Sequence, residues 1–322
     1  MSKIKKLGMV KRFVLLIYYG LYWLMRDLLY CKPASNSKEK QMFEILIKTH
    51  IIEKGITMPN RRYGFGYDRI RKLMRLCGSY IDKYGYNNVE IQSAIDDLFE
   101  YQKIHKDVDF KLPDDICKGI DNLLTYRISC EDSVNYHDIT SEDLFHKYGS
   151  FTEFAMSRHT CRFFSNKDID KSLLESAIQT AIKAPSACNR QSTRVKIFST
   201  DENKQFILNI QTGNRGFGQN AKMILMITSV QSAWEYMFRT SAYLDAGLFT
   251  MNLLYALHEK KIATCVLNAH LIPKKIKQLH KKGFLSKEEI PIVFIAIGIP
   301  PEKFDIARSS RLKINDIIQY IN

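Results

Sequence analysis

Glycine and proline are scarce in this chain, at 15 and 8 among 322 residues, below usual shares of about 7% and 5%. That excludes a collagen-like or linker-rich chain and favours helices joined by short loops. Long apolar runs are missing too: no stretch reaches the roughly 20 residues a spanning helix needs. No internal repeat is visible. The seven cysteines are odd in number, none stands in a Cys-x-x-Cys pair, and no histidine lies at zinc-ligand spacing from two of them. His258-Glu259 has Ile262 where a second ligand of a His-Glu-x-x-His motif would stand. No structural metal is expected, and free, mostly buried thiols point to a reducing, cytoplasmic setting. Acidic residues are also short, 34 against 48 basic, for a net charge of +14. That surplus suits a phosphate-bearing partner or an anionic membrane surface. No nucleic-acid recognition motif accompanies it, so a nucleic-acid partner is not expected.

What remains is globular: 45% hydrophobic and 25% charged residues, with a length suited to two domains or one with a long extension. Residues 1–30 form a segment of their own. Lys3, Lys5, Lys6, Lys11 and Arg12 precede an apolar run from Phe13 to Met25 that Arg26-Asp27 stops. Thirteen residues are too few to span a bilayer, and no small-residue cleavage site follows. Two readings stand: an interfacial helix with Tyr18, Tyr19, Tyr22 and Trp23 at the headgroup boundary, or an apolar helix packed on the rest of the protein. The first adds peripheral membrane contact on the cytoplasmic face.

Residues 31–150 read as helical. Ile45-Leu46 with Ile51-Ile52, Ile70 with Leu73 and Cys77, Ile91 with Ile95 and Leu98, and Ile116 with Ile120 and Leu123 recur at helix spacing. A turn rich in Gly, Pro and Asn, Met58 to Gly66, divides the first two periods. Asp96-Asp97, Asp114-Asp115 and Glu131-Asp132 read as solvated faces and loops. His50, Glu53 and Lys54 share one helix face, as a surface ion pair or a polar group for an anion or for docking.

Residues 151–322 change character. Arg194–Phe198, Met223–Thr228, Ala263–Leu267 and Ile292–Ile297 read as strands, and Lys171–Lys183 and Leu244–His258 as helices. Such alternation means a sheet covered by helices on both faces. This half carries 24 basic and 14 acidic side chains, so an anionic cofactor belongs here. Arg158-His159-Thr160-Cys161-Arg162 places two arginines four apart with a hydroxyl between; in a helical turn they would grip one phosphate. Ala184-Pro185-Ser186-Ala187-Cys188-Asn189-Arg190-Gln191 follows a helix and offers hydroxyl and amide groups on a tight loop. Asp245-Ala246-Gly247 opens a long apolar helix. Arg308-Ser309-Ser310-Arg311-Leu312 supplies another cationic cluster. Gln211 to Gly218 reads equally as a pocket loop or a plain turn.

In this order, these pieces resemble the FMN-dependent nitroreductase family over about residues 151–322. The resemblance implies an α+β fold, a mixed sheet flanked by helices, here preceded by the all-α region, and a homodimer whose subunits share the FMN groove. Carried over, Arg158, His159, Thr160 and Arg162 would hold the phosphate and ribityl chain, with Arg311 closing on the phosphate. Pro185, Ser186, Ala187, Asn189 and Gln191 would approach the flavin from the partner. Leu267 and Asn268 would lie at the ring, the Asn268 amide facing N5. Hydride would pass from NADH or NADPH through N5 to an electron-poor small molecule of nitro, quinone or enone type. Ser192-Thr193 stands where many members have Pro-Trp, and Cys265-Val266-Leu267 lacks their Pro or Gly-Gly. The helical extension is similar to that of members found among polysaccharide-assembly enzymes. A non-catalytic flavin-fold scaffold at a membrane is the alternative.

Overall fold

The computed structural model describes residues 11–14, 16–18, 20, 21, 24, 38–128, 139–145, 149–234 and 240–321. Two compact units emerge, one of Met1–Leu24 with His137–Ile306, the other of Met25–Tyr136 with Ala307–Asn322. Lys3, Lys5, Lys6, Tyr19, Tyr22, Trp23 and the Glu131-Asp132 pair lie outside the described residues.

The helical unit contains α1 (Lys38–Ile56), α2 (Tyr67–Tyr84), α3 (Val89–Lys106) and α4 (Asp114–Leu124). The apolar periods face inward: Ile45, Ile52, Ile70, Leu73, Ile95 and Ile116 share one core with no exposed surface. Boundaries follow local chemistry. Gly66 before α2 and Gly85 after it sit at φ 73° and 83°, where a side chain would be strained. Asn88 caps α3 by accepting from the Ile91 N–H. The Met58–Gly66 turn is bolted to the bundle by the Gly64 N–H, which donates to Nε2 of fully buried His105 at 2.8 Å. The other ring nitrogen, 2.6 Å from the Tyr101 carbonyl, must then carry the proton. Burial holds this imidazole below its usual range.

The other unit is built on a four-stranded sheet in the order β2-β3-β5-β4. Its strands are β2 (Thr193–Phe198), β3 (Met223–Val230), β4 (Ala263–Asn268) and β5 (Glu289–Gly298). A separate two-stranded ribbon joins β1 (Ile139–Thr140) to β6 (Lys303–Phe304). Every pairing among the described strands is antiparallel. Besides helical residues within 11–24, its described helices include α5 (Ser141–Leu144), α6 (Phe151–Ser157), α7 (Lys171–Ala181), α8 (Asp201–Ile210), α9 (Ser241–Glu259) and α10 (Pro273–Lys281). Leu174 and Ala177 of α7 and Ala246 and Leu253 of α9 pack on Leu225 and Ile227 of β3 and Ile295 of β5. Residues 224–229 are all buried, so both faces of β3 are covered, as an apolar central strand requires.

Candidate functional site

The arginine-bearing segment is not helical. α6 ends at Ser157, and Arg158 takes extended backbone angles, φ −68° and ψ 116°, so the expected helical turn from Arg158 to Arg162 is corrected. Tertiary hydrogen bonds hold the segment instead. The Cys161 N–H donates to Thr264 of β4 at 2.9 Å, and the Ser165 N–H to Ile299 at 2.8 Å. Between these anchors Phe164 packs over Gly298, where a Cβ would fall 2.6 Å from the ring. Arg162 is thereby carried into the interior, only 6% exposed. Its Nε has no hydrogen-bond partner among the described residues. A buried guanidinium N–H without an acceptor is costly unless a ligand supplies one. Arg158, His159 and Thr160, just before it in the chain, are half-buried. Cys161 is inert: burial pushes its thiol up to about 12.

The second cluster is the loop after α7. Cys188, Asn189 and Gln191 all take left-handed angles, φ 52°, 53° and 49°, which strain side-chain-bearing residues. Asp245 on α9, 3% exposed, holds the loop by accepting from the Ala187 N–H at 3.0 Å. Ser186 Oγ accepts from the Gln191 N–H at 3.1 Å, and the Arg190 guanidinium stacks on Trp234 at 4.9 Å. Pro185, Ser186, Gln191, Arg194, Asp245 and Phe249 line a cavity of about 180 Å³. Ala187 and Asn189, on the same loop, are exposed. Sequence reasoning quoted Asp245 without its task; a lone acid on an apolar helix was the available signal.

The third cluster surrounds the end of β4. Leu267 is buried and Asn268 exposed. The Gln211 side-chain amide donates to the Asn268 carbonyl at 3.1 Å, and Asn268 Nδ2 donates to Thr212 at 3.4 Å. Buried Asn214 braces the loop from below, donating to Leu208, the Gln211 carbonyl and Gln211 Oε1. The 211–218 segment is therefore a built loop anchored beside Asn268.

Arg311 falls in the terminal segment that groups with the helical unit; it is exposed and donates to the Ser309 carbonyl. Its neighbour Arg308 is already committed to Asp96 at 2.6 Å, while Arg311 has no carboxylate partner among the described residues. Within the same unit the Ser309 N–H donates to Glu53, and Ser93 Oγ donates to Ser310 Oγ at 3.0 Å. Glu53, 6% exposed, is thus an interior docking group, with His50 Nδ1 3.6 Å away. The solvated reading of Asp96-Asp97 is likewise corrected: Asp97 is 6% exposed, and Asp96 binds Arg127 and Arg308.

Residues 155–212 match the nitroreductase family model. A Bacillus subtilis protein named as the NAD(P)H nitroreductase YodC is 23% identical over 167 residues, covering 42% of this chain and 81% of that protein. Two solved structures are similar at 19% identity, each covering 54% of this chain. One is named as an NAD(P)H:FMN oxidoreductase from Staphylococcus epidermidis, with 97% of its chain covered and a TM-score of 0.47. The other is the enone reductase CLA-ER of gut-bacterial fatty acid saturation, with 99% covered and a TM-score of 0.49. The likeness to the nitroreductase family thus lies in the second half of the chain.

Proposed function

We propose that this NAD(P)H-dependent oxidoreductase works through FMN and delivers hydride to an electron-poor small molecule of nitro, quinone or enone type. The observation that carries the reading is Arg162, a buried cation whose Nε has no acceptor among the described residues. A flavin phosphate supplies that acceptor as a charge-assisted hydrogen bond. Arg158, His159 and Thr160 would hold the phosphate and ribityl chain beside it. Pro185, Ser186, Ala187, Asn189 and Gln191 would contact the ring of the partner's flavin, on a loop whose strained shape Asp245 maintains. The Asn268 backbone N–H and Leu267 would lie at the ring edge, with Gln211 holding the Asn268 carbonyl.

When bound, FMN would supply the hydride-transfer chemistry between NAD(P)H and the acceptor, in a ping-pong cycle. The protein binds, orients and excludes water. A homodimer is supported by α9, where Leu244, Leu248 and Met251 form an exposed stripe at helix spacing, beside exposed Tyr243. The test is NAD(P)H oxidation by FMN-loaded protein with a quinone, nitroaromatic or enone acceptor. Steady turnover is expected; no oxidation with any of the three contradicts the reading.

A further inference from the structure

The amino-terminal helix carries an apolar surface independent of the flavin reading. Among its described residues, Phe13, Val14, Leu16, Ile17, Leu21 and Leu24 are 41–63% exposed, so the described residues leave about half of each side chain open. Scattered apolar side chains on a surface are ordinary, but six on one short helix form a patch that calls for an occupant. The adjoining charge says which. Lys11 and Arg12 are exposed at the start of the helix, and residues 1–12 contain five basic and no acidic side chains. Two copies placed side by side through this patch would bring those cations together, whereas an anionic surface would neutralise them. Length settles the orientation: thirteen apolar residues make about 20 Å of helix, against roughly 30 Å of hydrocarbon. No described helix is long and apolar enough to cross a membrane.

We propose that the helical residues described within 11–24 seat in the plane of an anionic phospholipid surface, with Phe13, Leu16 and Ile17 at the acyl boundary and Lys11 and Arg12 on the headgroups. The full-length protein is spun with vesicles of phosphatidylcholine alone or mixed with phosphatidylglycerol. It is expected to sediment with the mixed vesicles, to bind the zwitterionic ones far more weakly, and to be released as salt rises. Replacing Lys11→Gln and Arg12→Gln together should weaken binding about thirtyfold, the equivalent of about 1 kcal/mol per cation. Phe13→Ser with Leu16→Ser should weaken it at least about tenfold, while the melting temperature, reporting the packed core, stays put. A full-length chain left in the supernatant with anionic vesicles overturns the proposal. Equal binding to both vesicle types overturns it as well.

Discussion

The carboxylate of Asp245 lies 3.0 Å from the Ala187 backbone nitrogen, so one buried acid on α9 fixes the loop that bears Pro185, Ser186 and Asn189. Three left-handed residues in that loop cost free energy that the anchor offsets. Asp245→Ala should leave the Ala187 N–H without this acceptor and release the loop, weakening FMN binding about tenfold, in line with about 1.5 kcal/mol for a hydrogen bond to a charged group. Flavin fluorescence titration reads the change. An unaltered affinity would separate the loop from the cofactor.

Arg162 makes opposite demands on the free and loaded protein. Without an acceptor its buried guanidinium is a burden on the fold. Arg162→Met should therefore keep or raise the melting temperature of the cofactor-free protein, yet reduce FMN affinity by about 1.5–3 kcal/mol. Calorimetric melts with and without FMN check both halves. Loss of stability in the free protein, with affinity intact, would make Arg162 a purely structural residue.

Gly298 tests the placement of that arginine. A Cβ there meets Phe164 Cδ1 at 2.6 Å, so Gly298→Ala must push the ring and the segment anchored by Cys161 and Ser165 aside. A destabilisation of about 1–3 kcal/mol is expected, with FMN retention falling alongside. Chemical denaturation and the bound flavin fraction measure the two effects.

The strands and most helices were legible because each rests on local pattern. β2, β3 and β4 start or end within two residues of their apolar runs, and the core of α1 to α4 follows the Ile and Leu periods. α9 begins at Ser241, three residues before the apolar run announces it. The site was legible as residue types and not as conformation. Arg158 to Arg162 is not helical: Thr264 pairs with the Cys161 backbone and Ile299 with Ser165 just beyond, contacts no local pattern encodes. Glu53 and Asp96 looked like surface acids because their partners Ser309 and Arg308 stand 256 and 212 positions away.

Two buried carboxyl groups predict opposite pH responses. For Glu289, burial is the largest single influence and pushes the carboxyl up, but the Ser286 amide, Lys196 at 2.9 Å and Thr228 together hold it below its usual range. Its stabilisation is complete above the ordinary glutamate range, about 4.3, and is lost as pH falls through the lowered value. Asp97 is raised, first by burial and then by nearby Glu53, against the pull of Arg308. Its burial therefore weighs on the fold as pH rises above the ordinary aspartate range, about 3.9. Asp97→Asn should raise the melting temperature at neutral pH and change little in acid below that range; Glu289→Gln should lower it at neutral pH. Melting curves across pH decide both signs.

The most direct measurement is the identity and amount of flavin released when the purified full-length protein is denatured, read by absorbance and mass. Stoichiometric FMN, with Arg162→Met releasing far less, is the predicted result. A colourless protein that takes up no FMN when it is supplied would contradict the account.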